Sequence, residues 1–446
     1  MTRALVAPLG AATAQPVAWS GGWRHGLSYG ALGLPLAFVA LPLYVVLPNH
    51  YATVFGMPLA LLGALLLGAR LVDALADPFI GRWVDRWFDR SSRHAWRAAA
   101  LAAGTLALAF AALFAPPAQH GDALLAWCAV MLVLTYLAYS VVAVVHQAWG
   151  ARLGGDEAQR ARVVAWREAL ALVGVLLASV LPALFGLTAL SVAFAVLLAG
   201  AMALLALAPQ PHPRPTPPAR AAAGGAMPAT APPSLALPWA NPAFRTLLAI
   251  YLLNGIASAI PATLVLFFIR DVLRAASFEA MFLILYFATG ALSIPLWVRL
   301  VQRIGLAATW LAGMVLAIVV FAGAAVLREG DALAYGVVCA LSGVALGADL
   351  TMPGALLAGV IQRAGHAGRA EGSYFGWWNF ATKLNLALAA GLALPLLQAF
   401  GYAPGARDAA ALSALSLAYC ALPCLLKLGA ATLLFFHWRQ RTRASA

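Results

Sequence analysis

The feature that most constrains this chain is a series of apolar segments that begins near Gly26 and continues almost to the C-terminus. Each segment is about 20 residues long, enough for a helix to cross the roughly 30 Å hydrocarbon core of a bilayer. In lipid, segments this apolar satisfy their backbone hydrogen bonds only as helices. The chain is 63% hydrophobic and 10% charged, which excludes an ordinary soluble domain. The sequence therefore predicts an all-α membrane protein.

Hydropathy and arginine placement together predict twelve transmembrane helices. The predicted helices lie at 26–48, 58–84, 95–115, 123–149, 163–185, 189–208, 243–269, 277–300, 306–327, 332–354, 373–400 and 410–437. Basic residues concentrate in cytoplasmic loops, and only Arg270, Arg274, Arg328 and Arg407 fall in loops on the opposite side. This alternation predicts a bacterial-type inner-membrane protein with both termini in the cytoplasm. The net charge of +13 is spread over short loops, so we expect no nucleic-acid partner.

A Pro/Ala/Gly-rich segment at 209–242 divides the chain into two halves, 1–208 and 243–446. Such a composition is typical of a linker. The halves carry a weak repeat, because Pro78, Arg82 and Arg86 recur at a constant offset as Pro295, Arg299 and Arg303. Two six-helix halves joined by a cytoplasmic linker are the organisation of the major facilitator fold.

Helix 2 carries three ionisable residues, Arg70, Asp73 and Asp77, inside an apolar segment. Their spacing places all three on one helical face. Charges at bilayer depth are costly and mark ion or substrate pathways. Two carboxylates and one arginine sum to −1, which suits a single Na⁺ or H⁺, and oxygen ligands favour a hard metal cation. We therefore predict cation binding, including metal binding, at Asp73 and Asp77. The alternative is that Arg70 and the aspartates pair with each other, or with a neighbouring helix, only to fix packing.

The repeat predicts that this charged site exists in the first half alone. At the offset of the repeat, the three charged positions correspond to Phe287, Gly290 and Ile294. Fold symmetry therefore does not explain the charges of helix 2.

Charged residues at the cytoplasmic ends of helices 2 and 8 predict a gate. Asp85, Arg86, Arg299 and Arg303 lie where salt bridges could form in one conformation and break in another. The alternative is that the arginines only anchor the chain at the membrane surface.

Helix 11 carries Lys383, one of only two lysines in the chain. Lysine loses its charge more readily than arginine when desolvated, so it can couple to a nearby cation site. Its neighbours Trp378, Asn379 and Thr382 suit a sugar-like or amphipathic substrate; the alternative is an aromatic belt with interhelical hydrogen bonds. The other lysine, Lys427, lacks polar neighbours in sequence, so a functional role and snorkelling or packing both stay open.

The motif RLVDALADPFIGRWVD resembles the helix 2 signature of the glycoside–pentoside–hexuronide:cation symporters, the melibiose-permease-like branch of the major facilitator superfamily. YGALG in helix 1, GADLTMP in helix 10 and WNFATKL in helix 11 are also similar. The resemblance implies that Asp73 and Asp77 bind the cation, that Lys383 lies near both sites and that Arg167 lies near the sugar. In helices 1 and 4, where melibiose-type members carry sugar-binding aspartates, the sequence has no carboxylate.

These patterns predict a Na⁺- or H⁺-coupled symporter of a small glycoside-like solute, with Arg70 and Lys383 in coupling and substrate binding. We expect partners limited to the solute, a monovalent cation and membrane lipid, no cofactor beyond the coupling ion, and a monomer. One alternative is a transporter of an amphipathic lipid or cell-wall fragment. Another is an intramembrane prenyl transferase that binds Mg²⁺ through Asp73 and Asp77, although the second acidic motif of such an enzyme is absent at the offset positions.

Overall fold

The computed structural model describes Trp19 and residues 21–117, 120–211, 234–403 and 405–445, and these residues form only helices and their connections. In the N-terminal half, α1 is Trp23–Val54, α2 is Leu59–Arg90, α3 is Ser92–Phe114, α4 is Gly121–Arg152, and α5 and α6 are 157–185 and 187–206. In the C-terminal half, α7 is Pro242–Val272, α8 and α9 are 279–304 and 306–324, α10 is Ala332–Arg363, α11 is Glu371–Ala399, and α12 is 409–445.

The predicted fold, with twelve helices in two halves, is confirmed. Within the described ranges, nine helical stretches are long and apolar enough to cross a membrane. One of them, Ala276–Ala324, contains two helices, α8 and α9, so the nine stretches account for ten of the twelve helices. The other two, α2 and α11, are 32 and 29 residues long, and about 20 residues suffice to span. Of the predicted linker, residues 212–233 lie outside the described residues.

Several helices extend beyond their predicted ends at one face of the bundle. This face, called the basic face below, carries the arginine-rich connections 86–97, 152–162, 299–303 and 363–369. There α2 continues to Arg90 and α10 to Arg363. These extra turns are polar, so a hydropathy window does not detect them. They bring charged side chains of the two halves into contact.

Two tight reversals of the chain depend on glycine. Gly186 separates α5 from α6 with φ 77°, and Gly305 separates α8 from α9 with φ 79°. Only glycine adopts this region without a steric cost.

Glycines also let α1 pack directly on the backbone of α5. A Cβ on Gly33 would lie 2.3 Å from the carbonyl oxygen of Arg167, and a Cβ on Gly174 would lie 2.1 Å from that of Leu34. Small residues at such crossings are the usual means of close helix packing in membranes. The contact fixes α5, and therefore Arg167, against α1.

The two halves meet through glycines of α2 and α11. A Cβ on Gly81 would lie 2.1 Å from the carbonyl oxygen of Gly372, and a Cβ on Gly376 would lie 2.5 Å from that of Asp77. No side chain fits between the two backbones. The interface is therefore closed between Asp77 and the basic face.

We expect Gly33→Ala to destabilise the protein by about 1–3 kcal/mol, because the added methyl group overpacks the α1–α5 crossing. Gly63→Ala is the matched control, because Gly63 lies within α2 and an added Cβ would have no atom within 4 Å. Alanine in a helix interior is more stable than glycine by about 1 kcal/mol, so this substitution should not destabilise the protein. Thermal unfolding in detergent measures both. A melting temperature of Gly33→Ala at or above that of Gly63→Ala would contradict this account of the packing.

Candidate functional site

A central cavity of about 350 Å³ lies between the two halves. Cavities of about 300–1,000 Å³ are typical of small-molecule sites. The cavity is lined by residues that the sequence analysis selected on three different helices, α2, α5 and α11. Those that line it are Arg70, Asp73, Arg167, Trp378, Asn379, Thr382 and Lys383.

At one edge of this cavity, Lys383 of the C-terminal half forms ion pairs with both aspartates of α2. Its Nζ lies 2.7 Å from Asp73 Oδ2 and 2.6 Å from Asp77 Oδ2. The same Nζ donates to Ser140 Oγ at 2.8 Å, and Ser140 donates to Asp73 Oδ1 at 2.6 Å. The cluster Asp73–Asp77–Ser140–Lys383, called the bridge below, therefore links α2 and α4 of one half to α11 of the other.

With both aspartates ionised, the bridge carries one uncompensated negative charge. Asp77 is fully buried and Asp73 is 1% exposed, and one ammonium neutralises only one of the two carboxylates. Asp77 Oδ1 accepts no hydrogen bond from the described residues. The contact of Asp77 Oδ2 with Lys383 is a close ion pair without the alignment of a hydrogen bond. Because a buried, unsatisfied carboxylate oxygen is costly, Asp77 Oδ1 is the atom of the bridge best suited to bind a further proton or cation.

Arg70 does not take part in the bridge. Its guanidinium carbon lies 3.9 Å from the ring centroid of Tyr44 and 4.9 Å from that of Tyr136, and no ion pair of Arg70 occurs among the described residues. Of the packing alternative, the pairing of Arg70 with the aspartates of α2 is therefore wrong, whereas the pairing of the aspartates with another helix is present through Lys383. The shared helical face predicted that Arg70 lies near the aspartates, but it did not predict its partners. Tyr44 and Tyr136, which make cation–π contacts with Arg70, belong to other helices.

The C-terminal wall of the central cavity is aromatic and polar. Trp378 stacks on Tyr251 with ring centroids 3.9 Å apart, and the Tyr251 hydroxyl hydrogen-bonds the Thr382 hydroxyl at 2.8 Å. A flat aromatic surface beside fixed hydroxyls suits a molecule with both apolar and hydroxylated faces.

Across the cavity, Arg167 is held by Glu168, which the sequence analysis missed. Two guanidinium nitrogens of Arg167 donate to Glu168 Oε1 at 2.8 and 2.6 Å. Both residues line the cavity, and Glu168 Oε2 has no hydrogen-bond partner among the described residues. The central cavity thus has a carboxylate from α5, although the α1 and α4 residues that line it include none. The available signal was an acidic residue next to the arginine, inside a predicted helix.

A second buried ion pair lies wholly within the C-terminal half. Lys427 Nζ lies 2.7 Å from Asp349 Oδ2 and donates to Asn254 Oδ1 at 2.7 Å. Asn254 and Trp310 donate to Asp349 Oδ1 at 3.1 and 2.9 Å. Lys427 is therefore buried in polar contacts rather than snorkelling. The repeat concerns only the positions equivalent to the helix 2 site, and Asp349 and Lys427 lie outside them. The contacting residues belong to α7, α9 and α10, so the sequence of α12 alone does not reveal them.

At the basic face, Asp85 of α2 caps the start of α11. Its carboxylate accepts hydrogen bonds from the backbone amides of Gly372 and Ser373 at 2.7 and 2.8 Å, and from the Ser373 hydroxyl at 2.7 Å. Arg152 of α4 lies 3.1 Å from Asp85 and 3.0 Å from Glu371. These buried charge-assisted contacts, called the latch below, hold the halves together.

The other predicted gate residues lie outside the latch. Arg86, Arg299 and Arg303 are exposed, and no ion pair is formed by them in the described parts of the chain. Their role as a gate stays a prediction. Glu157 of α5 also accepts a hydrogen bond from the amide of Leu306, at the start of α9, at 2.8 Å, so the N-terminal half caps two helices of the C-terminal half.

The described residues contain no group of three or more histidine, cysteine or acidic side chains arranged to hold a metal ion. The predicted metal role of Asp73 and Asp77 therefore depends on these two carboxylates with hydroxyl or carbonyl oxygens. Ser140 is the hydroxyl nearest to them in the bridge.

The sequence matches one protein family over nearly its whole length. The family model described as MFS/sugar transport protein matches residues 28–438. No curated protein matches the chain.

The fold is shared with solved transporter structures. A bacterial homologue of the iron transporter ferroportin, in an outward-facing state, has a TM-score of 0.66 and 17% identity, covering 92% of this chain and 100% of that one. The human organic anion transporter MFSD10 (TETRAN) has a TM-score of 0.60 and 16% identity, covering 92% and 99%. A variant of the E. coli fucose:proton symporter FucP has a TM-score of 0.61 and 14% identity, covering 91% and 97%. At these identities the likeness shows the fold alone.

We expect Asp85→Asn to shift the protein toward a conformation that is open at the basic face. Loss of charge-assisted hydrogen bonds worth about 1.5–3 kcal/mol each changes the ratio of open to closed states at least about tenfold. Spin labels at Arg86→Cys and Arg369→Cys, both exposed positions, measure the separation in a background without the native cysteines.

Asp89→Asn is the control for this experiment, because Asp89 is an exposed aspartate of the same helix. We expect its distance distribution to match that of the unsubstituted protein. Identical distributions for Asp85→Asn and Asp89→Asn would contradict the latch.

Proposed function

The chain belongs to the MFS/sugar transport family, and from this premise we propose that it is a cation-coupled symporter of a small sugar-like solute. It works by alternating access in a bacterial-type inner membrane, with the basic face in the cytoplasm, as the distribution of arginines favours. Members of this family are transporters, so the prenyl transferase hypothesis is set aside.

The observation that carries this proposal is the bridge. Lys383 belongs to one half and Asp73 and Asp77 to the other, so the ion pairs couple the charge of the site to the relative position of the halves. A cation that binds Asp77 competes with Lys383 for the carboxylates. Neutralisation of the remaining charge weakens the attraction between α2 and α11, and the solute and the cation then favour the same conformational change.

A proton suits the bridge better than Na⁺. The ammonium of Lys383 already occupies the position between the two carboxylates, 2.7 and 2.6 Å from their oxygens. A metal cation needs several oxygen ligands around it, whereas a proton needs only the free Oδ1 of Asp77. If Na⁺ is the coupling ion, Lys383 must first leave this position.

In this conformation the solute would enter from the face opposite to the basic face. The latch and the glycine contacts close the basic side, whereas Tyr44 and Leu386, which line the other end of the cavity, are 48% and 47% exposed. Opening of the latch would then release solute and cation to the cytoplasm.

The chemistry of the central cavity favours a polyhydroxylated solute. Glu168 Oε2 provides a free acceptor, Asn379 and Thr382 provide amide and hydroxyl groups, and the stacked Tyr251 and Trp378 offer an apolar surface for a sugar ring. The second candidate is an amphipathic lipid or cell-wall fragment, favoured by this aromatic surface. Competition by lysolipids but not by sugars would favour that candidate.

In proteoliposomes, we expect a pH gradient to drive accumulation of at least one member of a panel of radiolabelled hexoses, pentoses and methyl glycosides. Asp77→Asn should reduce accumulation to the level of protein-free vesicles, because the variant has no titratable group at this position, but retain exchange of internal for external solute. The asparagine keeps the size of the side chain, so exchange also verifies folding.

Asp89→Asn is the control and should accumulate solute like the unsubstituted protein. Accumulation driven by Na⁺ and not by protons would identify Na⁺ as the coupling ion. Full accumulation by Asp77→Asn under either gradient would contradict the proposed coupling site.

A further inference from the structure

A second cavity, of about 180 Å³, lies entirely within the C-terminal half, between α7, α8, α9, α10 and α12. Its walls are largely apolar, and six aromatic rings contribute to them. The rings are those of Phe282, Tyr286, Phe287, Phe321, Tyr335 and Tyr419.

Two irregular turns shape one end of this cavity. α7 ends in a π-helical turn at Phe268–Val272, and α12 contains another at Leu417–Ala421. Phe268 from the first turn stacks on Tyr419 from the second with ring centroids 4.3 Å apart, and the Tyr419 hydroxyl hydrogen-bonds that of Tyr335 at 2.7 Å. Such turns change the direction of side chains and are frequent at functional sites. The aromatic wall is therefore held by its own contacts.

The other end of the cavity is the Asp349–Lys427 pair. Lys427 lines the C-terminal cavity, whereas Asp349 lines both this cavity and the central one. The pair is fully hydrogen-bonded by Asn254, Ser258 and Trp310, so it needs no further ligand to remain buried. Asp349 is therefore the residue of the described chain that borders both the polar central cavity and the apolar C-terminal cavity.

The volume and lining of the C-terminal cavity match a single compact ring. An apolar cavity of about 150 Å³ in another protein stays dry and binds benzene. Ala262 of α7 lines the cavity and is exposed, which gives an entry beside α7.

We propose that the C-terminal cavity binds the uncharged, ring-bearing group of the transported molecule, while its hydroxylated part occupies the central cavity. The inference rests on the proposed function and narrows the substrate class to glycosides with a compact aryl or alicyclic aglycone. Asp349 would then contact the molecule where its polar and apolar parts join.

The test compares Ala262→Trp, which fills the entry, with Ala249→Trp. Ala249 is an exposed alanine of the same helix that lines neither cavity. Fluorine NMR of the purified protein in detergent first measures binding of fluorobenzene, the ring alone. We expect saturable binding to the unsubstituted protein and to Ala249→Trp, and its loss in Ala262→Trp. Equal binding to both variants, or no saturable binding to any, would overturn the proposal.

Thermal-shift titrations with methyl and phenyl glycosides of the same sugars then test the link to transport. We expect Ala262→Trp to lower the affinity for the phenyl glycoside at least about tenfold, because a buried phenyl group contributes at least that much affinity. The affinity for the methyl glycoside should not change. An equal loss of affinity for both glycosides would overturn the assignment of this cavity to the aglycone. If neither glycoside binds the unsubstituted protein, the sugar-like substrate is wrong, and fluorobenzene still decides whether the cavity binds a ring.

Discussion

The arrangement of this protein depends on the cost of burying charge in a bilayer. Asp73 and Asp77 are almost completely inaccessible, and an isolated carboxylate at that depth would be strongly destabilising. The lysine that pairs with them comes from the other half of the molecule. The two halves therefore share one electrostatic site, and any change in its charge acts on the contact between them. A pair formed within one half, such as Asp349–Lys427, does not link the two halves.

The glycine contacts and the latch show how the halves remain together on one side of the bridge. Gly81, Gly372 and Gly376 bring α2 and α11 into backbone contact, and Asp85 binds the buried amides of Gly372 and Ser373 at the start of α11. These contacts are made by small residues and charge-assisted hydrogen bonds. Such an interface suits two closely balanced conformations. The bridge lies at the inner boundary of this closed region, where a local change of charge acts on it directly.

The sequence was sufficient to predict the helices and most residues of the central cavity, because apolar windows locate spans and polar residues within them are rare. It was insufficient to predict partners. Helical spacing grouped Arg70 with the aspartates, yet tyrosines from α1 and α4 hold it. The partners of Lys427 are dispersed over three other helices, so no local pattern reveals them. The role of Glu168 was not predicted, because two adjacent charged residues in a helix do not show whether their side chains point the same way. The functional roles of these residues remain proposals.

The central claim is that Asp77 binds the coupling cation and thereby releases Lys383. Difference infrared spectroscopy of the purified protein in lipid tests it most directly, because a protonated carboxyl group has a stretching band distinct from that of a carboxylate. As the pH is lowered, the account predicts a protonated carboxyl band that is absent from Asp77→Asn and retained in Asp89→Asn. The same band in Asp77→Asn would contradict the claim, as would a buried carboxylate pair that stays ionised until the protein unfolds.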